Sequence, residues 1–344
     1  MNAITAVAVL VSTAIIFAYC LVIWWLDRYE REPFWLVLLA FAWGGLGGTS
    51  LGCLASIPLA IAAAMVGGEV FGTVFGSVVV APVVEEITKG LVFPLLLLGR
   101  HMDNETDGLI YGAATGLGFA AVENLIYYGA AADGEPLALL VIVFVRTFFS
   151  SLVHCISSSL LGMCIGYAIH RDGSARWILW PAIGLVLAVV NHAVWNGLAT
   201  AGEFGLLGDF SAAFILLGML LVAAASVLMF VLTQISLGRE HAVIRAHLLR
   251  EAGLGILPAA HAEIIPYWTR RSRKGWLPPH VPRDRYIRAA TLLAFRHHQR
   301  EIARGERAVR YAADIERYRG EVIALLVPAA TVLAGRGPPP LPTS

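Results

Sequence analysis

Apolar residues along this chain do not alternate with polar ones; they gather into seven long runs, roughly 4–26, 34–66, 70–98, 108–131, 137–169, 177–200 and 210–236. Each is long enough for a helix to cross a hydrocarbon core, which takes about 20 residues. The pattern predicts an all-α, polytopic membrane helix bundle. The second run contains "GGLGGTSLG" and Pro58, so it is expected to kink or break. The first run has no basic leader and ends in "WWLDRYERE" without a small-residue cleavage site, so it reads as a span and not as a removable signal peptide.

Composition agrees. The 344 residues are 58% hydrophobic and 14% charged, with a mean hydropathy of +0.72, well above soluble domains. The four cysteines, Cys20, Cys53, Cys155 and Cys164, all fall in spans without a CxxC pair and read as buried small hydrophobes.

Charge then gives an orientation. Arg28 and Arg31 follow the first run, Arg100 the third, and Arg171 and Arg176 the fifth, whereas the alternate loops carry Glu69, Asp133, Glu135, Glu203 and Asp209. Because Lys and Arg accumulate on the cytoplasmic side, the N-terminus is expected outside and the C-terminus inside.

Residues 237–344 form a second region, with 18 Lys plus Arg against 9 Asp plus Glu. Such a basic cytoplasmic tail suits an anionic lipid surface. "PYWTRRSRKGW" (266–276) reads as an interfacial anchor, and with no nucleic-acid motif beside it the expected partner is the bilayer, not nucleic acid. Residues 284–326 are expected to be helical, with Arg296, Arg300 and Arg304 on a solvated face among Glu301 and Glu316. The end, "GRGPPPLPTS", reads as disordered.

The candidate chemistry lies in the spans, where ionisable residues are costly and so mark function. "APVVEEITKG" (81–90) places Glu85, Glu86 and Lys89 in the third run; Lys89 is within reach of Glu85 at four residues and of Glu86 at three. In the fourth, a stripe of Gly108, Gly112, Gly116 and Ala120, suited to close helix approach, leads to Glu123 and Asn124. The fifth carries His154 between Ser150 and Ser158, and the sixth carries His192 between Ala188 and Asn196, at the same four-residue spacing. Measured from the cytoplasmic ends of the runs at about 1.5 Å per residue, Glu85, Glu123, His154 and His192 all fall about 20 to 22 Å deep, in one layer.

Carboxylates crowded in a medium of low polarity cannot all ionise cheaply, so one of them is a candidate base near neutral pH. With two imidazoles and the amides of Asn124 and Asn196, the layer has the parts to activate water and stabilise a tetrahedral oxyanion. Two versions fit. Glu123, His154 and His192 could hold zinc while Glu85 or Glu86 activates its water. Alternatively, a glutamate acts without metal and His192 with Asn196 donates to the oxyanion. There is no HExxH motif to decide between them.

"DRYEREP" (27–33), "APVVEEITKG", "DGLIYGAATGLGFAAVEN" (107–124), the His154 span and "NHAVWN" (191–196) together resemble the PrsW family of intramembrane proteases, itself distantly similar to the CAAX prenyl endopeptidases. The resemblance covers about residues 1–236 and not the tail. It implies an endopeptidase of the bacterial cytoplasmic membrane, usually described as a metalloprotease. Its substrates would be membrane-anchored proteins such as an anti-sigma factor. The family's EExxK motif falls on Glu85, Glu86 and Lys89, its second glutamate on Glu123, and its histidines on His154 and His192.

Two other classes compete. An ion- or proton-coupled transporter also uses midplane glutamates and Gly-interrupted spans, but inverted repeats are expected there and none is found. A scaffold without activity would use the small-residue stripes to bind a partner span.

Overall fold

The computed structural model describes residues 3–99, 101–169, 174–206 and 208–327. Arg100, Arg171 and the Pro-rich end, all used in the expectations above, lie outside the described residues. Among the described residues every regular element is helical. Seven helical stretches are long and apolar enough to span a membrane: Ala3–Leu26, Phe34–Gly67, Glu69–Leu98, Glu105–Ala130, Pro136–Ile169, Arg176–Glu203 and Ala212–Gly253. They reproduce the seven apolar runs, except that the last helix continues well beyond residue 236. Its extension buries Leu237, Ile244 and Leu248, a spacing that one helical face supplies.

The chain divides into two compact units, residues 1–27 with 31–236, and 28–30 with 237–344. In the first, the fourth span is the most enclosed of the seven. Its N-terminus is fixed by a capping box in which the Asn104 side chain accepts from the Thr106 and Asp107 amides and Asp107 reaches back. Its glycines decide how closely neighbours approach. A Cβ on Gly116 would collide with the carbonyl of His154, one on Gly112 with that of Ser158, and one on Gly108 with that of Gly162. The stripe therefore brings the fourth and fifth spans backbone to backbone, with the His154 turn opposite Gly116. On another face Gly118 meets the carbonyl of Phe41 in the second span.

Three spans contain a widened, π-helical turn: Trp43–Gly48, Gly76–Val80 and Arg146–Ser150. The first lies in the glycine-rich stretch expected to break the second span; the helix widens there and continues to Gly67, with Pro58 inside it. The other two lie one to two turns ahead of Glu85 and His154. A π turn rotates the following face of a helix, and such turns recur at functional sites.

All four cysteines are unpaired, and Cys53 is exposed where burial was expected. In the second unit, the tail builds a core of its own around Ile244, Leu248, Ile265, Tyr286, Leu293, Ile315 and Val322. The stretch expected to be helical is so in two helices, Arg283–Ile302 and Glu306–Leu326, divided at Gly305, whose positive φ of 60° a glycine tolerates. Within the stretch read as an interfacial anchor, the Trp276 ring packs 5.2 Å from that of His261.

Candidate active site

The residues singled out in the third to sixth spans converge. The His154 and His192 rings meet edge to face at 4.7 Å. Glu86 is fully buried and fully engaged: Lys89 Nζ donates to its Oε1 at 2.6 Å, the Nδ1–H of His192 donates to the same oxygen at 2.9 Å, and Ser158 Oγ donates to Oε2 at 3.3 Å. Lys89 thus pairs with Glu86, not with Glu85, although helical spacing permits both. The choice is made from other helices, because His192 and Ser158 converge on Glu86.

Glu123 has its own cation, and sequence reasoning missed it. Arg146, in the π turn of the fifth span, donates through Nη2 to Glu123 Oε2 at 2.5 Å and through Nε to Asn124 Oδ1 at 2.9 Å. Its guanidinium lies 3.5 Å from the centre of the Tyr127 ring. The signal was present: an arginine in the middle of an apolar run calls for a partner inside the bundle. The His154 Nε2–H donates to Glu123 Oε2 at 2.8 Å, while Lys89 Nζ donates to His154 Nδ1 at 3.1 Å.

The two amides sit beside the cluster as braces. Asn124 Nδ2 donates to Ser151 Oγ at 3.1 Å, and Asn196 Nδ2 donates to the Ser77 carbonyl at 2.9 Å in the π turn ahead of Glu85. Asn196 is therefore committed to the backbone that carries Glu85, where the sequence suggested a donor to an oxyanion.

Three carboxylates face two cations, and the pairing leaves one over. Glu86 has Lys89 and Glu123 has Arg146; Glu85 has neither. Its Oε2 is buried without a hydrogen-bond partner, 3.8 Å from His192 Nε2. With Nδ1–H given to Glu86, His192 Nε2 carries a lone pair on the side of the ring nearer that oxygen.

The donor groups of Glu85, His154 and His192 lie within 4.8 Å of one another. This trio contains Glu85 in place of the Glu123 suggested by the sequence, because Arg146 occupies Glu123. Two imidazoles and a carboxylate suit a zinc-type ion with an open position, and a carboxylate behind a ligating imidazole, as Glu86 is behind His192, is the usual support. The orphaned Glu85 oxygen also fits. His154 fits least well, since both its ring nitrogens already have partners.

Seven apolar helices around a cluster of carboxylates, imidazoles and cations define a multi-pass membrane protein with a polar centre among its spans. The comparisons make this specific. The model of the PrsW family of intramembrane metalloproteases matches residues 32–232, so the chain belongs to that family. It is 27% identical over 176 residues to Protease PrsW of Bacillus subtilis (strain 168), covering 51% of this chain and 74% of that protein. It is likewise 27% identical over 180 residues to Protease PrsW of Geobacillus kaustophilus (strain HTA426), covering 52% and 72%. No solved structure matches. The chain is thus an intramembrane peptide hydrolase of the bacterial cell membrane.

Proposed function

We propose that this protease hydrolyses peptide bonds of membrane-anchored proteins at Glu85, with the anti-sigma factors implied by the family resemblance as the first substrates to test. The observation that carries the reading is the unmatched carboxylate: Glu85 has no counter-ion and an unbonded oxygen facing His192 Nε2.

Glu85 Oε2 accepts a proton from water as the water oxygen attacks the scissile carbonyl carbon. When the tetrahedral intermediate collapses, the same proton passes to the departing amide nitrogen, leaving a carboxylic acid and an amine. Glu86 holds His192 through Nδ1 and fixes the direction of Nε2. Glu123 and Lys89 hold His154 between them. The Lys89 and Arg146 charges, in a medium of low dielectric, offset the negative charge developing on the carbonyl oxygen. Were a zinc-type ion held by Glu85, His154 and His192, Glu85 would be a ligand in place of the base, and the ion would supply Lewis-acid polarisation of water and carbonyl.

The orientation proposed for this reaction puts the N-terminus outside and the basic tail in the cytoplasm, supported by Arg28, Arg31 and the excess of basic residues after residue 236.

The test is capture of substrates in the native membrane by Glu85→Gln, followed by cleavage of the captured proteins with purified wild-type enzyme. Full cleavage of a verified substrate by Glu85→Gln, Glu86→Gln and Glu123→Gln alike would overturn the reading. Elemental analysis addresses the ion. An equivalent of zinc lost in His192→Ala supports it, while full activity in chelator with no bound ion leaves Glu85 as a base acting alone.

A further inference from the structure

The second unit contains another group of the same composition. His247 stands on the extension of the seventh helix; His298 and Glu301 stand on the Arg283–Ile302 helix, three residues apart and so on one face. One donor atom from each lies within 4.8 Å of the others. We propose that His247, His298 and Glu301 bind a divalent transition-metal ion of the zinc, cobalt or nickel class.

The separation is the first argument. His247 Nε2 and Glu301 Oε2 are 3.8 Å apart, too far for a hydrogen bond but compatible with two ligands sharing an ion at about 2.0 to 2.2 Å each. The corresponding atoms of His192 and Glu85 are also 3.8 Å apart.

Burial is the second. His247 is 4% exposed, and its Nδ1 is buried with no hydrogen-bond partner. A buried imidazole normally has both nitrogens engaged, and here neither has a hydrogen bond. No hydrogen bond ties up Nε2, the nitrogen that faces Glu301, so its lone pair is free for an ion.

The surroundings orient the other members. Arg250 Nη1 donates to Glu301 Oε1 at 2.6 Å, which fixes the carboxylate and leaves Oε2 turned to His247. His297 is excluded from the trio by a separate network. Its ring stacks on that of His247 at 5.6 Å, but its Nε2 lies 2.8 Å from Glu251, which Arg319 grips with two hydrogen bonds of 2.7 and 2.6 Å. His297 therefore forms one wall of the site, and His298 supplies the second imidazole. Two histidines and one carboxylate, with positions left open, suit such ions.

The test uses the full chain in detergent, stripped with chelator and titrated with cobalt(II), whose absorption reports its ligands. His192→Ala serves as the background, so that the membrane site does not contribute. One cobalt per chain is expected there, with at least tenfold weaker binding after either His298→Ala or Glu301→Gln, both at positions outside the core. Absence of cobalt binding in the His192→Ala background, or unchanged affinity in the His298→Ala/Glu301→Gln double variant, overturns the proposal. Neither outcome bears on the protease mechanism, which is read from cleavage.

Discussion

His192 stands between two glutamates that it treats differently: its Nδ1 is 2.9 Å from Glu86 Oε1, and its Nε2 is 3.8 Å from Glu85 Oε2. The first is a hydrogen bond and the second is not. Adjacent residues of one helical turn thus do separate jobs. Glu86 is locked by three partners, while Glu85 presents a free oxygen.

The two glutamine variants should therefore fail in different ways. Glu85→Gln removes a charge that has no counter-ion, so the folded protein should survive with its melting temperature little changed and cleavage reduced by about 100-fold or more. Glu86→Gln leaves Lys89 without its carboxylate, and breaking a buried pair costs about 3–5 kcal/mol. Both activity and thermal stability should fall. Equal melting temperatures for the two variants would contradict this division.

Arg146 and Glu123 form the second, partly buried pair. Arg146→Met alone strands Glu123 and should be strongly destabilised, and Glu123→Gln alone strands Arg146. The double variant removes both charges and should recover much of the stability lost by either single change, as replacement of a buried pair by neutral groups often does. Activity should not return with it, because the acceptor of His154 is no longer charged. A double-mutant cycle in thermal unfolding, read beside a cleavage assay, separates the two effects.

The spans were legible because hydropathy over about 20 residues is a bulk property that one charge hardly alters. For the same reason Arg146 was lost inside the run 137–169. The site layer was legible because four-residue spacing and the rise per residue place Glu85, Glu123, His154 and His192 without knowledge of packing. Which carboxylate Lys89 takes was not, since His192 and Ser158 decide it from two other helices. The π turns leave no composition signal of their own, and they set the direction of the faces bearing Glu85 and His154. In the tail, Arg296, Arg300 and Arg304 suggested a solvated helical face. The break at Gly305 instead folds two helices onto a shared core in which Tyr286 and Leu293 are fully buried.

Gly116 gives a test of the packing that holds His154. Any side chain there runs into the His154 carbonyl, so the fourth and fifth spans must separate to admit it. Gly116→Ala should lower stability by about 1–3 kcal/mol, as overpacking does, and should cut cleavage more than stability, because the displaced backbone carries His154 away from Glu123. Gly129, where an added Cβ meets nothing within 4 Å, is the control: Gly129→Ala should leave both quantities unchanged. The comparison is made by thermal unfolding and cleavage on the same preparations.

Glu32, in the loop between the first two spans, supplies a pH prediction. Its carboxylate accepts a hydrogen bond from the Tyr111 hydroxyl. Burial, the largest influence, pushes its pKa up to about 7 from 4.5, against the opposing hydrogen bonds of Tyr111 and Asp107. A carboxyl whose pKa is raised on folding favours the protonated form in the folded state. The stability it contributes is therefore complete below about pH 4.5, where the unfolded chain is also protonated, and is lost as pH rises through about 7. The melting temperature of the wild type should fall between about pH 4.5 and 7, and Glu32→Gln, neutral throughout, should flatten that part of the profile. A profile of the same slope in Glu32→Gln would assign the titration to another group.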